Sequence, residues 1–207
     1  MNEAPDLTVR HRPVQARGRV RFEGILLAAR ALLAERGVEG FTIDDVAQRA
    51  DIPVGSVYQF FPNKFAIVAE LDARDTTALV EDLVTFADRF PTDDWQAEAN
   101  HIIDLVAKHW AEDPTRRAVW LAMRSTAATR SAAAAHFGQL VGTLEPIIVE
   151  LTPHLTAQRQ HTIAEVIVEV AQSLLHFSVA DDQPRPGTVA ELKRMLRAYL
   201  RSVALET

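Results

Sequence analysis

Five arginines near the N-terminus form a dense cationic stretch. They lie within residues 8–21, a segment without any acidic residue: Arg10, Arg12, Arg17, Arg19 and Arg21. A guanidinium suits a nucleic-acid phosphate, because neutralising the phosphate releases its condensed counterions. The stretch therefore predicts an arm that adds phosphate or minor-groove contacts to DNA, and a merely solvated tail is the alternative.

The other chemistry-bearing residue types do not form a recognisable catalytic or metal-binding pattern. The seven histidines lack the H-x-x-x-H and H-E-x-x-H spacings of helical metal sites. No nucleophile elbow, P-loop or dinucleotide-binding glycine pattern occurs in the chain. The sequence thus predicts no enzyme, with no catalytic residue, metal ligand or cofactor.

Composition and charge describe a globular protein with two unlike parts. Of its 207 residues, 48% are hydrophobic and 24% charged, and the absence of cysteine excludes disulfides and thiolate metal sites. Residues 1–64 hold nine Lys/Arg and eight Asp/Glu, a net charge of +1, whereas residues 65–207 hold thirteen and twenty, a net charge of −7. No signal-peptide pattern and no uncharged apolar run of about 18 residues is present. We therefore expect a soluble cytoplasmic protein that does not enter membranes.

Apolar residues recur at spacings of three and four along almost the whole chain, which predicts an all-α fold. The first helix spans residues 19–36 and ends at Gly37, because glycine readily adopts the positive φ of a helix C-terminus. Short helices follow at 42–50 and 53–61, and a fourth begins after Asn63 and extends to about Phe90. Later helices are predicted at 94–112, 115–124, 131–151, 157–180 and 188–204.

Residues 42–61 have the pattern of a helix-turn-helix. Thr42 is a capping residue before the first short helix, and a three-residue turn ending at Pro53 precedes the second. The second helix is too short to be stable alone, so its apolar side must rest on its neighbours. Its other side then projects outward, as a recognition helix entering a major groove requires.

The run TIDDVAQRADIPVGSVYQFFPNK resembles the DNA-binding signature of TetR-family transcriptional repressors. In that family the helix-turn-helix is followed by Tyr-x-aromatic-Phe-Pro-x-Lys, and the match covers about residues 20–68. The resemblance implies a three-helix DNA-binding domain over 19–66, preceded by a flexible basic arm over 1–18. A larger helical domain over 67–207 would bind an effector and form the dimer.

The resemblance also implies roles for single residues of the helix-turn-helix. Thr42 would cap its helix and touch a phosphate, and Gly55 would let the backbone approach the DNA. Ser56 would reach a base edge or a phosphate. Tyr58 would donate to a phosphate, and Gln59 would face the groove.

Further DNA contacts are expected beside these, together with two departures from the family pattern. Lys64 would hold a phosphate, and Arg17 and Arg19 would belong to the DNA-contacting arm. Val54 occupies a position where the family often has lysine, so it can offer only apolar contact, such as to a thymine methyl. Asp51 replaces the usual glycine and must adopt a left-handed conformation.

A homodimer is predicted from the last two helices. Residues 163–180 are apolar over so much of the helix circumference that burial on two sides is expected. A two-fold four-helix interface would suit a palindromic operator. The predicted interface residues are Ile163, Val166, Val170, Leu174, Phe177, Leu192, Leu196 and Tyr199.

Large side chains concentrate in the central helices, where an apolar effector cavity is one interpretation and an ordinary core the other. The candidate pocket residues are Phe86, Trp110, Trp120, Met123, Phe137 and His176. The charge of −7 leaves a cationic effector conceivable.

The sequence is therefore interpreted as a regulator that binds double-stranded DNA, namely a repressor released from a palindromic operator by a small apolar effector. The alternative is a DNA-binding regulator without such an effector, either controlled by a protein partner or acting as an activator.

Overall fold

The computed structural model describes residues 5–87, 94–180 and 185–205. In these ranges the chain forms nine α-helices and a short 3₁₀ turn, Val38–Gly40, and no strand. The predicted end of the fourth helix near Phe90 lies outside the described residues. The helices are α1 (Ala16–Arg36), α2 (Ile43–Arg49), α3 (Val54–Phe60), α4 (Lys64–Ala87), α5 (Trp95–Glu112), α6 (Pro114–Ser125), α7 (Arg130–Leu151), α8 (Ala157–Ser178) and α9 (Pro186–Ala204).

Contacts divide the chain into two compact units, and the division differs from the boundary predicted after residue 66. The first unit comprises Met1–Asp75 and Pro114–His136, and the second comprises Thr76–Asp113 and Phe137–Thr207. Helix α6 packs against α1 and so belongs with the helix-turn-helix. Helix α4 contributes its first half to one unit and its second half to the other.

Local chemistry explains the helix ends around the helix-turn-helix. Gly37 follows α1 with a φ of 68°, as the sequence predicted. Thr42 and Asp45 form a capping box at the start of α2, where the Thr42 hydroxyl accepts from the Asp45 N–H at 3.2 Å. The Asp45 carboxylate accepts from the Thr42 N–H at 2.8 Å. Asp51 has a φ of 52°, which confirms its left-handed place in the turn.

Buried aromatic side chains hold α3 in the first unit. Phe61 stacks on Phe22 of α1 with ring centroids 5.0 Å apart, and Phe60 meets Phe22 edge-on at 5.4 Å. Val57 and Ala47 are buried between α2 and α3. These contacts place Phe60 and Phe61 in the core, and they supply the tertiary support that a seven-residue helix needs.

The second unit is built from α5, α8 and α9, which contact one another, together with the part of α7 from Phe137 onward and the second half of α4. Thr156 caps the start of helix α8, and its hydroxyl accepts from the Arg159 N–H at 3.3 Å. Its buried side includes Ile163, Ile167 and Leu175. Apolar side chains thus face the interior of this unit from every helix that builds it.

Candidate nucleic-acid interface and ligand cavity

The outward face of α3 carries the residues predicted to meet DNA. Val54 is 39% and Tyr58 44% exposed, and Gly55 and Gln59 are exposed as well. Ser56 is half-buried. A Cβ added at Gly55 would meet no heavy atom within 4 Å, so the backbone there is open to a close neighbour. This surface offers a phenol, a carboxamide, a hydroxyl and bare backbone side by side.

Two of the predicted phosphate ligands already have partners inside the protein. The Lys64 ammonium donates to the carbonyl of Phe41 at 3.2 Å and lies 3.5 Å from a carboxylate oxygen of Glu39. The Thr42 hydroxyl donates to Asp45 at 2.6 Å, and the hydrogen bonds from Thr42 lower the pKa of that carboxyl. A phosphate would have to compete with these contacts, so the phosphate roles of Thr42 and Lys64 stay predictions.

Four of the five N-terminal arginines fall into two groups. Arg10 donates to carbonyl groups at the end of α3, and Arg12 forms an ion pair with Glu70 of α4. Arg17 and Arg19 lie exposed in the first turn of α1 and form no ion pair within the described residues.

The prediction of a flexible arm over residues 1–18 is therefore wrong for residues 6–12, which are bound to the protein, and for residues 16–18, which are helical. Residues 1–4 lie outside the described part of the chain. DNA contact by Arg17 and Arg19 stays a prediction.

A cavity of about 130 Å³ lies inside the second unit, bordered by α4, α5, α7, α8 and α9. Its lining side chains are aliphatic or aromatic, including Leu79, Leu144 and Ala171, except for Gln172, whose polar atoms contribute no surface to the cavity. The chemistry of this lining suits an uncharged apolar molecule.

The predicted pocket residues do not form one site. Met123 is buried in the core of the first unit, and Trp120 lies on the same helix, α6. Phe137 and His176 belong to the second unit but are not among the lining residues, although the His176 ring stands edge-on to that of Trp110 at 6.3 Å. Two of the six predicted residues do line the cavity: Phe86 and Trp110.

Some of the predicted dimer-interface residues lie in the interior of the chain and others lie at its surface. Ile163, Leu192 and Leu196 are buried within the chain, and the last two line the cavity, so they are not available to a second copy. Met195 is 43% exposed and lies outside the predicted interface set, although it is spaced four residues from Tyr199. The other predicted interface residues are exposed or half-buried: Val166, Val170, Leu174, Phe177 and Tyr199.

Histidine–carboxylate pairs occur without forming a metal site in the described ranges. His109 Nε2 lies 2.6 Å from Asp82 Oδ2, and His136 pairs with Asp72. Among the described residues, no group of three or more His, Asp or Glu side chains could hold a metal ion.

Two family models match the chain. One, described as bacterial regulatory proteins of the tetR family, matches residues 25–71. The other, described as the C-terminal domain of tetracyclin repressor-like proteins, matches residues 93–204, which are more than half of the chain. The chain belongs to the TetR family.

The TetR-family fold recurs in solved structures. A TetR-family transcriptional regulator from Streptomyces coelicolor is 25% identical, with a TM-score of 0.61, and the match covers 88% of this chain and 99% of that one. The regulator FadR from Bacillus subtilis, solved in complex with stearoyl-CoA, has a TM-score of 0.72 at 19% identity, with 88% and 98% of the two chains covered. At this identity the likeness to FadR shows the fold alone.

A curated sequence relative is similar over a shorter segment. It is the uncharacterized HTH-type transcriptional regulator YdeS of Bacillus subtilis strain 168, 37% identical over 84 residues. The match covers 34% of this chain and 42% of YdeS, so the chain spans less than half the length of this relative.

Helix α7 has the length and composition of a membrane span, with a mean hydropathy of 1.2 over 18 residues. The whole of Arg130–Leu151 lies inside the segment matched by the TetR-family C-terminal model, residues 93–204. We therefore interpret α7 as a helix of the TetR-family C-terminal domain.

Proposed function

We propose that this chain is a cytoplasmic DNA-binding transcriptional regulator, namely a repressor whose homodimer binds a palindromic operator and releases it when a small apolar molecule binds. The observation that carries this proposal is the outward face of α3. In a helix whose Val57 and Phe60 are buried, the hydrogen-bonding side chains of Tyr58 and Gln59 remain exposed beside the open backbone of Gly55. This arrangement fits a recognition helix whose outward face lies in a major groove.

Exposed apolar side chains of α8 and α9 support the proposed homodimer. Val166 and Phe177 of α8 and Met195 of α9 are each more than 40% exposed. Burial of such side chains against a second copy is favourable at about 25 cal/mol per Å² of apolar surface. A two-fold dimer presents two copies of α3, as a palindromic operator requires.

The size and lining of the cavity suit an uncharged effector that is about as large as one aromatic ring. Cavities of about 150 Å³ lined by aliphatic and aromatic side chains hold a benzene-sized ligand, and this cavity has about 130 Å³. The lining contains no acidic or basic side chain, so a charged effector would lose its hydration without a counterion. A cationic effector is therefore disfavoured in spite of the negative charge of this part of the chain.

Release of DNA requires that the effector bind the DNA-free conformation more tightly than the DNA-bound conformation. Coupling free energies between two sites are typically about 1–3 kcal/mol, which would weaken DNA binding about 5- to 150-fold. Leu79 and Leu83 line the cavity on the second half of α4, and the first half of the same helix follows α3. We assign to α4 the role of carrying the change from the cavity to the recognition helix.

The effector is tested by thermal unfolding with three matched probes: toluene, phenol and benzoate. Toluene and phenol are expected to raise the unfolding temperature, and benzoate is not, because its carboxylate has no partner in the cavity. Gln172→Leu keeps the approximate size of the side chain but removes the carboxamide. Because the cavity surface is apolar throughout, this variant should bind toluene and phenol as the wild type does.

The same probes are then added to the protein–DNA complex. Loss of DNA binding with toluene or phenol, but not with benzoate, supports the effector-controlled repressor. If none of the probes binds the protein or releases the DNA, the effector proposal fails, and control by a protein partner becomes the better account of a DNA-binding protein.

A further inference from the structure

Residues 6–12, which we call the strap, are fixed to the end of α3 and the start of α4. The backbone N–H of Arg10 donates to the carbonyl of Phe60 at 2.8 Å. The side chain of Asn63 donates to the carbonyl of Asp6 at 2.8 Å. Two apolar side chains of the strap pack against the core of the first unit: Leu7 and Val9.

Arg10 completes the C-terminal end of the recognition helix. Its guanidinium donates to the carbonyl of Tyr58 at 3.0 Å, in addition to the backbone bond with Phe60. The last four carbonyl groups of an α-helix have no partner within the helix, and the helix dipole favours a cation at this end. Because α3 has only seven residues, these two hydrogen bonds satisfy a large share of the carbonyl groups that lack a partner within the helix.

Arg12 fastens the other end of the strap to α4. Its two terminal nitrogens donate to the two carboxylate oxygens of Glu70 at 3.0 and 2.7 Å. The Glu70 side chain is only 4% exposed, so it depends on cationic partners to replace its hydration. Arg74 is a second partner at 3.1 Å and also pairs with Glu23 of α1. The network therefore joins the strap, α4 and α1.

We propose that the strap positions the recognition helix, and that Arg10 and Arg12 act on DNA binding through α3 without touching a phosphate. This inference rests on the proposed DNA-binding function. It gives four of the N-terminal arginines two different roles: Arg10 and Arg12 bind the protein, whereas Arg17 and Arg19 keep their charges free for phosphates.

Arg12→Gln and Arg17→Gln form a matched pair of variants, since each removes one positive charge per chain. For Arg12→Gln, the dissociation constant for DNA at fixed salt should rise about 5- to 30-fold. The slope of log affinity against log salt should stay that of the wild type. For Arg17→Gln, the slope should fall by about 0.9 for every phosphate that is no longer neutralised, and a dimer has two copies of Arg17.

Hydrogen exchange of the free protein gives a second readout that does not involve DNA. The amides of α3 should exchange faster in Arg12→Gln than in wild type or Arg17→Gln, because the strap no longer holds the helix end. Arg12→Lys keeps the charge but not the bidentate geometry, so it should show only a partial rescue. If Arg12→Gln does not fold, Arg10→Gln provides the same comparison without disturbing the buried Glu70.

A reduced salt slope for Arg12→Gln would mean that Arg12 contacts a phosphate, and this result overturns the proposal. Unchanged DNA affinity together with unchanged exchange in α3 overturns it as well. If the wild type binds no DNA at all, the proposed function fails, whereas the exchange comparison still decides whether the strap holds α3.

Discussion

Val57 and Tyr58 are consecutive residues of α3, yet Val57 is fully buried and the side chain of Tyr58 is 44% exposed. Successive residues of an α-helix point about 100° apart, so one residue can anchor this helix while the next faces solvent. The stability of the first unit and its binding to DNA can therefore be changed separately at neighbouring positions.

Tyr58→Phe should weaken DNA binding by a similar factor on every duplex. The substitution removes only the phenol hydroxyl, and a contact to a phosphate carries no sequence information. With about 0.5–1.5 kcal/mol per hydrogen bond and two copies of Tyr58 in a dimer, a loss of about 5- to 150-fold is expected. Fluorescence anisotropy on several duplexes measures this factor, and a loss confined to one duplex would assign Tyr58 to base recognition.

Gln59→Ala should instead change the order of preference among operator variants. A carboxamide that pairs with a base edge contributes about 1–3 kcal/mol of discrimination at one base pair. The measurement is a panel of duplexes with single substitutions, titrated with wild type and variant. An equal loss on all members of the panel would place Gln59 against the backbone.

Val57→Ala should lower the free energy of unfolding by about 2 kcal/mol, because it removes two buried methyl groups and leaves a cavity. Val54→Ala on the exposed face of the same helix is the matched control and should change stability by no more than about 0.5 kcal/mol. Urea unfolding monitored by circular dichroism compares the two. Equal effects would contradict the orientation of α3.

Acid should destabilise the first unit through three carboxyl groups. Hydrogen bonds from arginine or threonine side chains lower the pKa of each of them: Glu23, Glu35 and Asp45. A carboxyl with a lowered pKa stabilises the fold above its unfolded-state pKa, and this contribution is lost as the pH falls through the folded-state pKa. Stability should therefore decline below about pH 5.

Glu35→Gln tests the contribution of one of these groups. Arg49 donates to both carboxylate oxygens of Glu35, at 2.6 and 2.7 Å, and this pairing is the main cause of the lowered pKa. The variant should show a shallower loss of stability in urea unfolding between pH 7 and 3 than Glu150→Gln, whose native residue forms no ion pair within the described ranges. Identical pH profiles for the two variants would contradict the assignment.

The sequence predicted the features of the fold that depend on neighbouring residues. The positive φ of Gly37, the cap at Thr42 and the turn at Asp51 each rest on the conformational preference of one residue and its neighbours. The all-α fold and the buried side of α3 follow from apolar periodicity in the same way.

Features that depend on distant residues were not predicted. Arg12 was assigned to a free arm because its partner, Glu70, lies 58 residues later in the chain. Met123 was assigned to the pocket because periodicity gives the buried side of α6 but not the helix against which it packs. An aliphatic cavity lining has the same periodicity as an aliphatic core. The sequence pattern therefore does not distinguish a lining residue such as Leu144 from a core residue.

The prediction of the dimer-interface residues on α8 was wrong in part for a related reason. A helix that is apolar around most of its circumference has two buried sides, and the sequence does not say which side faces the protein's own core. Ile163 is buried, whereas Val166 and Phe177 are exposed. Val166 and Phe177 are therefore the residues to substitute when the oligomeric state is tested.

Binding-site selection with the purified chain and random DNA duplexes tests whether α3 recognises a DNA sequence. We expect enrichment of a two-fold symmetric sequence whose half-sites lie a whole number of helical turns apart, about 10 base pairs or a multiple of this. Two chains should bind each site, and Gln59→Ala should enrich a different sequence. A folded protein that enriches no sequence over the starting pool would contradict the assignment of α3 as a recognition helix.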